Sequence, residues 1–539
     1  MTIASESVTI YDGLLLIPCA IFITIFYYTS LAIYNIYFHP LSSFPGPRLA
    51  GATPWWTALS YLGGRTPYDL LELHNKYGPV VRTSPDSLSY IKAPQWKEIY
   101  GHKAPGQLEF SKDGKYHSAL KGDAVIINAD REYHSYIRRL FAHGFSEKAM
   151  REQEGVLKGF VDVLFAKLGE VGEGGRPVDV VEWYNVSFLD IGGLTTSAPG
   201  EECDADGILQ FLTFDFIGVL TFGESFDCLT TSTLHTWVQI FFALAKFMAF
   251  HQAISRLPKL LQLPATLLTM PKTLTKDVKT LNELQSEKVQ HRLQTEATVP
   301  DFMEKLISAY NTGKMTYKQL EGNSQILIAA GSETTATLLA GLTYLLTQNP
   351  RVLAKLTAEV RSTFTHPDEI TFTGVNSCKY LLACIEEALR VYPPSPQPHH
   401  RIVPAGGATV DGVLLPEGTS VSIPIYAASH SLLNWTLPEE FIPERWMTTK
   451  DGGNEDGVGD EDVDVRLFAG DQRDASQPFQ VGPRNCIGRN LAYAEIKIIM
   501  ARLVWQFDIE NATEGDWIGT QKVFMVWEKA PLWVKLHPV

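Results

Sequence analysis

The stretch FQVGPRNCIG, residues 479–488, places Cys486 in a turn between two glycines. Gly482 and Gly488 let backbone N–H groups approach the sulfur closely, which stabilises a thiolate. Arg484 carries a fork-shaped donor that suits a carboxylate. A lone cysteine is more often a buried packing residue, but this context favours a thiolate that ligates a metal.

The residues around the turn would keep such a thiolate charged and shielded, as a ligand of haem iron must be. Phe479 can shield the sulfur from solvent, and the apolar pattern from Ala492 onward predicts a helix whose N-terminus faces the thiolate. A thiolate can ligate haem iron and donate electron density to it. We therefore expect Cys486 to be the axial haem ligand, with Arg484 donating to a haem propionate.

Composition excludes several other classes. The chain has 539 residues, of which 45% are hydrophobic, and a net charge of −14. The acidic balance argues against a nucleic-acid partner, and the length allows one very large domain. Six cysteines without a CxxC pair argue against a disulfide scaffold or a zinc site, and favour a reducing compartment.

The N-terminus has the composition of a membrane anchor. Residues 13–38 contain no Asp, Glu, Lys or Arg, and these 26 residues exceed the roughly 20 that span a bilayer. A cleaved signal peptide is the alternative, which the long apolar run and the lack of a basic segment before it disfavour. Residues 1–12 are acidic, whereas Arg48, Arg65 and Lys76 follow the span, so the catalytic part is expected in the cytosol.

Beyond the anchor, the sequence predicts one mostly helical domain with small β-sheets over residues 49–539. Prolines in residues 39–48 predict a short, stiff linker. Residues 66–91 are typical of a helix followed by two paired strands, and helical periodicity dominates from about 130 to 400. Short strand-like segments occupy 400–425.

The marked positions of the Cys486 turn, Phe-x-x-Gly-x-Arg-x-Cys-x-Gly, match the haem-binding signature of the cytochrome P450 haem-thiolate monooxygenases. The chain resembles this family from about residue 40 to its C-terminus. Its anchor and its PERW segment (443–446) are similar to fungal microsomal members of the isotrichodermin hydroxylase group. The resemblance implies the cytochrome P450 fold, preceded by one transmembrane helix.

The segment AAGSETT, residues 329–335, resembles the oxygen-binding helix of the family. The resemblance implies that Ala330 and Gly331 leave space for dioxygen beside the iron. It also implies that Glu333 and Thr334 form the catalytic pair that delivers protons. Thr334 is expected to hydrogen-bond to a helix carbonyl and to loosen one turn.

A second landmark is structural. Glu387 and Arg390 are three residues apart, which places them on one helix face. With Arg445 of FIPERW they resemble the triad that holds the core behind the haem loop in this family.

Three residues resemble the family's propionate ligands. They are Arg401, before the substrate-lining strand, and the pair His134 and Arg138 on a predicted helix. Many members have Trp where this chain has His134, and a histidine can still donate to a propionate.

Residues 186–210 interrupt the resemblance. The flanking pieces EWYN and FLTFDFIG match a continuous family segment, whereas the 25 residues between them do not. We interpret them as a retained intron, because codons for Val-Ser and Leu-Gln can form splice sites and the length keeps the reading frame. A genuine surface insertion is the alternative.

The resemblance implies oxidation of an apolar small molecule in fungal secondary metabolism, of terpenoid, polyketide or alkaloid type. It implies haem b as the cofactor and O₂ as a co-substrate. Electrons would come from NADPH through a cytochrome P450 reductase, with cytochrome b5 as a further donor, at the endoplasmic reticulum membrane. Arg131, Arg139, Lys148 and Arg489 are expected to dock the reductase.

Two other functions stay open at this level. A haem-thiolate isomerase or dehydratase would use no O₂, which the pair Glu333 and Thr334 argues against. An inactive haem protein is conceivable because of residues 186–210. Substrate contacts are expected in residues 105–128, 214–255, 325–334, 396–402 and 524–526.

Overall fold

The chain is described by a computed structural model over residues 4–115, 125–181, 212–231, 236–270, 273–296, 300–447 and 463–539. The segment 186–210 lies outside these residues. The described helices are α1 (Ala4–Tyr37), α2 (Arg48–Ala52), α3 (Trp55–Leu62), α4 (Thr66–Tyr77), α5 (Ala93–Tyr100), α6 (Arg131–Phe141), α7 (Glu147–Val171), α8 (Leu212–Phe222), α9 (Cys228–Thr231), α10 (Thr236–Ile254), α11 (Lys259–Thr269), α12 (Leu274–Gln294), α13 (Glu304–Asn311), α14 (Tyr317–Gln348), α15 (Pro350–Thr363), α16 (Lys379–Val391), α17 (Ile425–His430) and α18 (Arg489–Gln506).

Short strands form small sheets beside the helices, which confirms the predicted fold class. The largest sheet has the strand order β1-β2-β8-β5-β3, and β4-β12-β9, β10-β11 and β6-β7 form the others. The strands are β1 (Val80–Ser84), β2 (Ser87–Tyr90), β3 (Ser111–Lys112), β4 (Pro177–Asp179), β5 (Arg401–Ile402), β6 (Ala408–Val410), β7 (Val413–Leu415), β8 (Ser420–Ser422), β9 (Phe507–Asn511), β10 (Lys522–Phe524), β11 (Val526–Glu528) and β12 (Trp533–Pro538).

The N-terminal helix α1 is longer than the predicted anchor and begins before it. Its stretch Pro18–Tyr37 is apolar and long enough to cross a membrane, and only 6% of it is buried. Its C-terminal end is fixed to the rest of the molecule. Asn35 donates to the Ala52 carbonyl at 2.9 Å, and Arg82 donates to the Asn35 carbonyl at 2.8 Å. The last turns of α1 therefore belong to the domain surface.

Helix α14 runs through the centre of the helical core. It begins at a capping box, in which the Thr316 hydroxyl accepts from the Gln319 backbone and the Gln319 side chain accepts in return. It packs against α8, α16 and α18. A side chain at Gly341 would collide with the Tyr392 ring, so α14 needs a glycine where the chain leaves α16.

The five-stranded sheet brings two distant segments together. β1 and β2 form the predicted antiparallel pair, and β2 runs parallel to β8. Strand β5 lies between β8 and β3 and places Lys112 opposite Arg401. Like charges at directly opposite positions repel each other in a sheet, so this register indicates a site for an anion.

Candidate haem-thiolate site

The cysteine turn is held by its own backbone and by α5. The Cys486 amide donates to the Phe479 carbonyl at 2.9 Å. Gly482 has a φ of +79°, and a Cβ there would collide with the Tyr100 carbonyl oxygen. Only glycine satisfies both the left-handed backbone and this close approach. The turn therefore needs glycine for its shape.

The Cys486 thiol sits at the N-terminus of α18. Burial raises the pKa of this thiol, while the backbone amides of Gly488 and Arg489 and the charge of Arg138 oppose the rise. The two amides and the positive charge stabilise a thiolate, but their combined effect on the pKa is smaller than that of burial. A metal ion bound to the sulfur would lower the pKa of the thiol further and keep it deprotonated.

The thiol opens into a cavity of about 410 Å³. Ala330 and Thr334 of α14 line the same cavity, together with apolar side chains that include Leu338 and Leu389. Each of the five segments predicted to contact substrate contributes to the lining, through Ile127, Met248, Ala330, His399 and Met525.

A group of cations borders the cavity. Arg484 donates to the Ala129 carbonyl and to Glu109, each at 3.0 Å, but its Nε is buried without a partner in the described part of the chain. Burial and the charges of Arg401 and Arg484 hold the pKa of Lys112 well below its usual range. Two or more carboxylates placed here would satisfy Arg484 and relieve the repulsion. These residues fit the propionates of a haem.

Helix α6 carries the other two predicted propionate ligands. The His134 side chain is buried, and its pKa is lowered to about 4 by burial and by the nearby cations, of which Arg484 has the largest effect. His134 is therefore neutral at physiological pH. The Arg138 guanidinium donates to the carbonyl and the side chain of Asn485, so it braces the residue next to Cys486.

On α14, Thr334 lines the cavity, whereas Gly331 and Glu333 do not. The Thr334 hydroxyl lines the cavity and donates to the Ala330 carbonyl at 2.8 Å, as expected, but the helix continues without a loosened turn. Gly331 does not line the cavity. A Cβ at Gly331 would lie 2.6 Å from Ile217 Cδ1, so this glycine permits the close packing of α14 on α8.

Glu333 is placed away from the cavity lining. Its carboxylate pairs with Lys529 and accepts from the Thr337 hydroxyl at 3.1 Å, and Lys529 also donates to Thr337 at 2.8 Å. Both charged side chains are almost fully buried. Burial raises the pKa of Glu333, and Lys529 opposes that rise. In this conformation the carboxylate pairs with Lys529 and does not line the cavity that Thr334 lines.

The triad residues are brought together at the core. Glu387 accepts from Arg390 Nη2 at 2.8 Å and from Arg445 Nε at 2.9 Å, and none of these three side chains is exposed. Trp446 Nε1 donates to the same carboxylate at 2.8 Å. Burial opposes ionisation of Glu387, but the two arginines, Arg390 first, lower its pKa overall.

The residues expected to dock a reductase are exposed. Arg131 and Arg139 lie on α6, Lys148 lies on the first turn of α7, and Arg489 begins α18. The Arg489 guanidinium lies 5.7 Å from the centre of the Phe479 ring. This cation therefore lies beside the residue that begins the cysteine turn.

Sequence reasoning missed three charged residues of the site. Lys112 lay within a segment expected to contact substrate, but no motif marked its charge. Glu109, the partner of Arg484, carries no motif either. Lys529 is 196 positions from Glu333, and nothing in the pattern connects them. Glu333 is a charged residue within an apolar helix pattern, and a buried charge requires a partner of opposite sign. That was the sequence signal for a residue such as Lys529.

Known proteins match the chain over almost its whole length. The family described as Cytochrome P450 matches residues 193–532. Cytochrome P450 monooxygenase hepD of Aspergillus oryzae is 40% identical over 520 residues, covering 95% of this chain and 94% of the relative. Trichothecene C-15 hydroxylase of Fusarium sporotrichioides is 40% identical over 522 residues, covering 95% of this chain and 96% of the relative. The chain therefore belongs to the cytochrome P450 family.

Proposed function

We propose that this cytochrome P450 hydroxylates an apolar small molecule in a fungal secondary-metabolite pathway. Its family uses haem b, O₂ and electrons from NAD(P)H that a reductase delivers, and this chain is a monooxygenase of that kind. The observation that carries the proposal is that the Cys486 thiol and the Thr334 hydroxyl share one cavity with apolar walls. Hydroxylation is the reaction in the name of the Fusarium relative.

In this proposal the cofactor is held at two places. Cys486 would ligate the iron, with Phe479 and Gly488 shaping the turn around the sulfur. Lys112, Arg401 and Arg484 would bind the propionates. The haem, when bound, supplies the O₂ activation that inserts one oxygen atom into the substrate.

The side chains around the haem also bind substrate and move protons. The apolar lining, which includes Leu338, Leu389 and Met525, excludes water and selects an apolar substrate. The Thr334 hydroxyl lines the cavity but donates its proton to the Ala330 carbonyl, so its oxygen is available there as an acceptor. It can donate a proton into the cavity only after the hydroxyl turns away from Ala330. Glu333 takes part only after its carboxylate leaves Lys529, so its proton delivery requires a side-chain movement.

The coupling of electron use to product formation tests the role of Thr334. The Thr334→Ala variant is expected to consume NADPH while forming several-fold less product per NADPH, because the cavity loses the hydroxyl that can relay a proton. Thr343→Ala is the matched control, since the Thr343 hydroxyl makes the same bond to its own helix at 2.8 Å but is buried outside the cavity. Equal coupling in the two variants would remove Thr334 from the mechanism.

The topology is proposed from charge and hydropathy. Residues 1–12 lie in the lumen, 13–38 span the endoplasmic reticulum membrane, and 39–48 link the span to the cytosolic domain at 49–539.

An NADPH-cytochrome P450 reductase docks on the side of α6 and α18, and cytochrome b5 is a second donor. Charge reversal at Arg139 is expected to slow reduction of the protein, and an unchanged rate would contradict this docking side.

For residues 186–210 we keep the proposal of a retained intron. The pieces on either side of the segment resemble adjoining parts of the family, and its ends permit splice sites. The family match begins at residue 193, inside the segment, which favours the alternative of a genuine insertion. Sequencing of the transcript is the test. A dominant transcript that lacks these 25 codons is expected, and one that contains them would establish a genuine insertion.

A further inference from the structure

A second cavity, of about 510 Å³, lies where α1 meets the catalytic domain. One wall is made by Tyr28 and Leu31, near the C-terminal end of the apolar span. The lining also includes Arg256, between α10 and α11, and Lys259, the first residue of α11. The cavity is separate in its lining residues from the one that contains Cys486.

Arg256 is a charged side chain with unpaired hydrogen-bond donors that lines this second cavity. It is 9% exposed, and its Nε and Nη2 are buried with no hydrogen-bond partner among the described residues. Its guanidinium lies 5.6 Å from the centre of the Tyr61 ring, which stacks against it but accepts no strong hydrogen bond. Leaving buried donors of a cation unpaired costs stability, so the site is incomplete without an acceptor.

The charge around the cavity favours an anion. Lys115 and Asp86 both line it and pair with each other at 2.6 Å, and the charge of Arg256 also helps to lower the pKa of Asp86. The one carboxylate therefore offsets one of the three cations. Arg256 and Lys259 then leave two positive charges. A phosphate group suits this arrangement because a guanidinium binds phosphate oxygens through two parallel hydrogen bonds.

The apolar surface next to the cavity indicates the level at which the cavity meets the membrane. Helix α11 has no buried residue, and its Leu260 and Leu268 are 80% and 87% exposed. Exposed leucines on a helix beside a membrane span are expected to enter the boundary between headgroups and acyl chains. Because α11 follows directly after Arg256, that boundary places the cavity at the level of the lipid headgroups.

We propose that this cavity binds the headgroup phosphate of a membrane phospholipid, with Arg256 and Lys259 contacting the phosphate and Tyr28 and Leu31 contacting the upper acyl chain. The inference rests on the proposed membrane anchoring by α1. The lipid would bind at the junction of α1 and the domain, at a site separate from that of the haem. A bound lipid would fix the angle between α1 and the domain by joining their surfaces.

Native mass spectrometry of the full-length holoprotein tests this site. The probes are dihexanoyl phosphatidylcholine below its micelle concentration, dihexanoylglycerol, which lacks the phosphate, and inorganic phosphate. The expected result is one bound phosphatidylcholine per chain, with about tenfold weaker binding in Arg256→Gln because its phosphate contacts are lost. The matched control is Arg48→Gln, which removes an exposed arginine near α1 that does not line the cavity.

Three outcomes with the unchanged protein and Arg256→Gln would overturn the proposal, and Lys259→Gln adds a fourth test. Equal binding to Arg256→Gln and the unchanged protein would exclude Arg256 as the phosphate ligand. Equal binding of dihexanoylglycerol would show an apolar groove only, and inorganic phosphate that binds as tightly as the lipid would show a free-phosphate site. If Arg256→Gln does not fold, the exposed Lys259→Gln is expected to weaken binding several-fold, and unchanged binding there contradicts the proposal. Failure of the proposed monooxygenase would instead appear as a missing thiolate-type carbon monoxide spectrum with lipid binding intact.

Discussion

Glu387 shows how one side chain can connect distant parts of this protein. Its carboxylate joins Arg390 on the same helix to Arg445, which is 58 positions away, and all three are buried. The spacing of Glu387 and Arg390 predicts their pairing from sequence alone. The addition of Arg445 depends on the family resemblance, because no local pattern relates residues so far apart. Arg445 also pairs with Asp471, a partner that neither pattern nor resemblance indicated.

Removal of the Glu387 charge is expected to destabilise the domain strongly. In Glu387→Gln two buried arginines lose their shared carboxylate, so we expect a loss of about 3–5 kcal/mol in the free energy of unfolding. The control is Glu283→Gln, which breaks an exposed pair with Lys279 and is expected to cost less than about 0.5 kcal/mol. Urea denaturation monitored by haem absorbance measures both. Similar midpoints for the two variants would contradict a structural role for the triad.

At the level of elements, helix existence was predictable but helix contacts were not. The apolar pattern predicted α14 and α18, and the turn residues predicted β1 and β2, all of which the structure contains. Which faces meet depends on tertiary packing, which periodicity does not specify. Glu495 illustrates this, because it stands in an apolar helix pattern where a charged residue usually marks the solvent face. In the structure Glu495 is 3% exposed on α18 and hydrogen-bonds with Thr335 of α14.

Glu495 is expected to make stability depend on pH. Burial raises its pKa from 4.5 to about 8, so between these values the unfolded chain releases a proton that the folded chain keeps. Raising the pH therefore favours unfolding, and the loss is complete above about pH 8. Glu495→Gln carries no charge at any pH, so its advantage over the unchanged protein should grow by about 1.4 kcal/mol per pH unit.

Urea denaturation from pH 5 to pH 8 measures this effect. Glu283→Gln serves as the control and should follow the unchanged protein at every pH, since the Glu283 side chain is exposed. An advantage of Glu495→Gln that stays constant across this range would show that Glu495 keeps its ordinary pKa in the folded protein.

At the level of the whole molecule, the apolar surface is concentrated on one part of the protein. Many exposed apolar side chains belong to the candidate membrane span of α1, and α11 adds exposed leucines next to the cavity at its junction with the domain. The anchor could be predicted from composition, because an uncharged apolar run of this length is typical of a membrane span. The exposure of α11 could not, because a leucine-rich helix of 11 residues is equally typical of a protein core.

Membrane attachment is therefore expected to have two components. Deletion of residues 1–29, which keeps the turn that carries Asn35, should leave the protein bound to membranes but extractable by carbonate. Adding Leu260→Glu and Leu268→Glu should release it, because each buried leucine contributes roughly 1.5–3 kcal/mol. Leu432→Glu, at another exposed leucine, is the control. Full release by the deletion alone would exclude α11 as a second contact.

The carbon monoxide difference spectrum of the reduced full-length protein tests the central assignment, Cys486 as the thiolate ligand of haem iron. The account predicts a thiolate-type Soret band in the unchanged protein and in Cys19→Ser, which alters an exposed cysteine of α1. It predicts that this band is absent in Cys486→Ser. A thiolate-type band that persists in Cys486→Ser, or one that is absent from the unchanged protein when haem is bound, would contradict it.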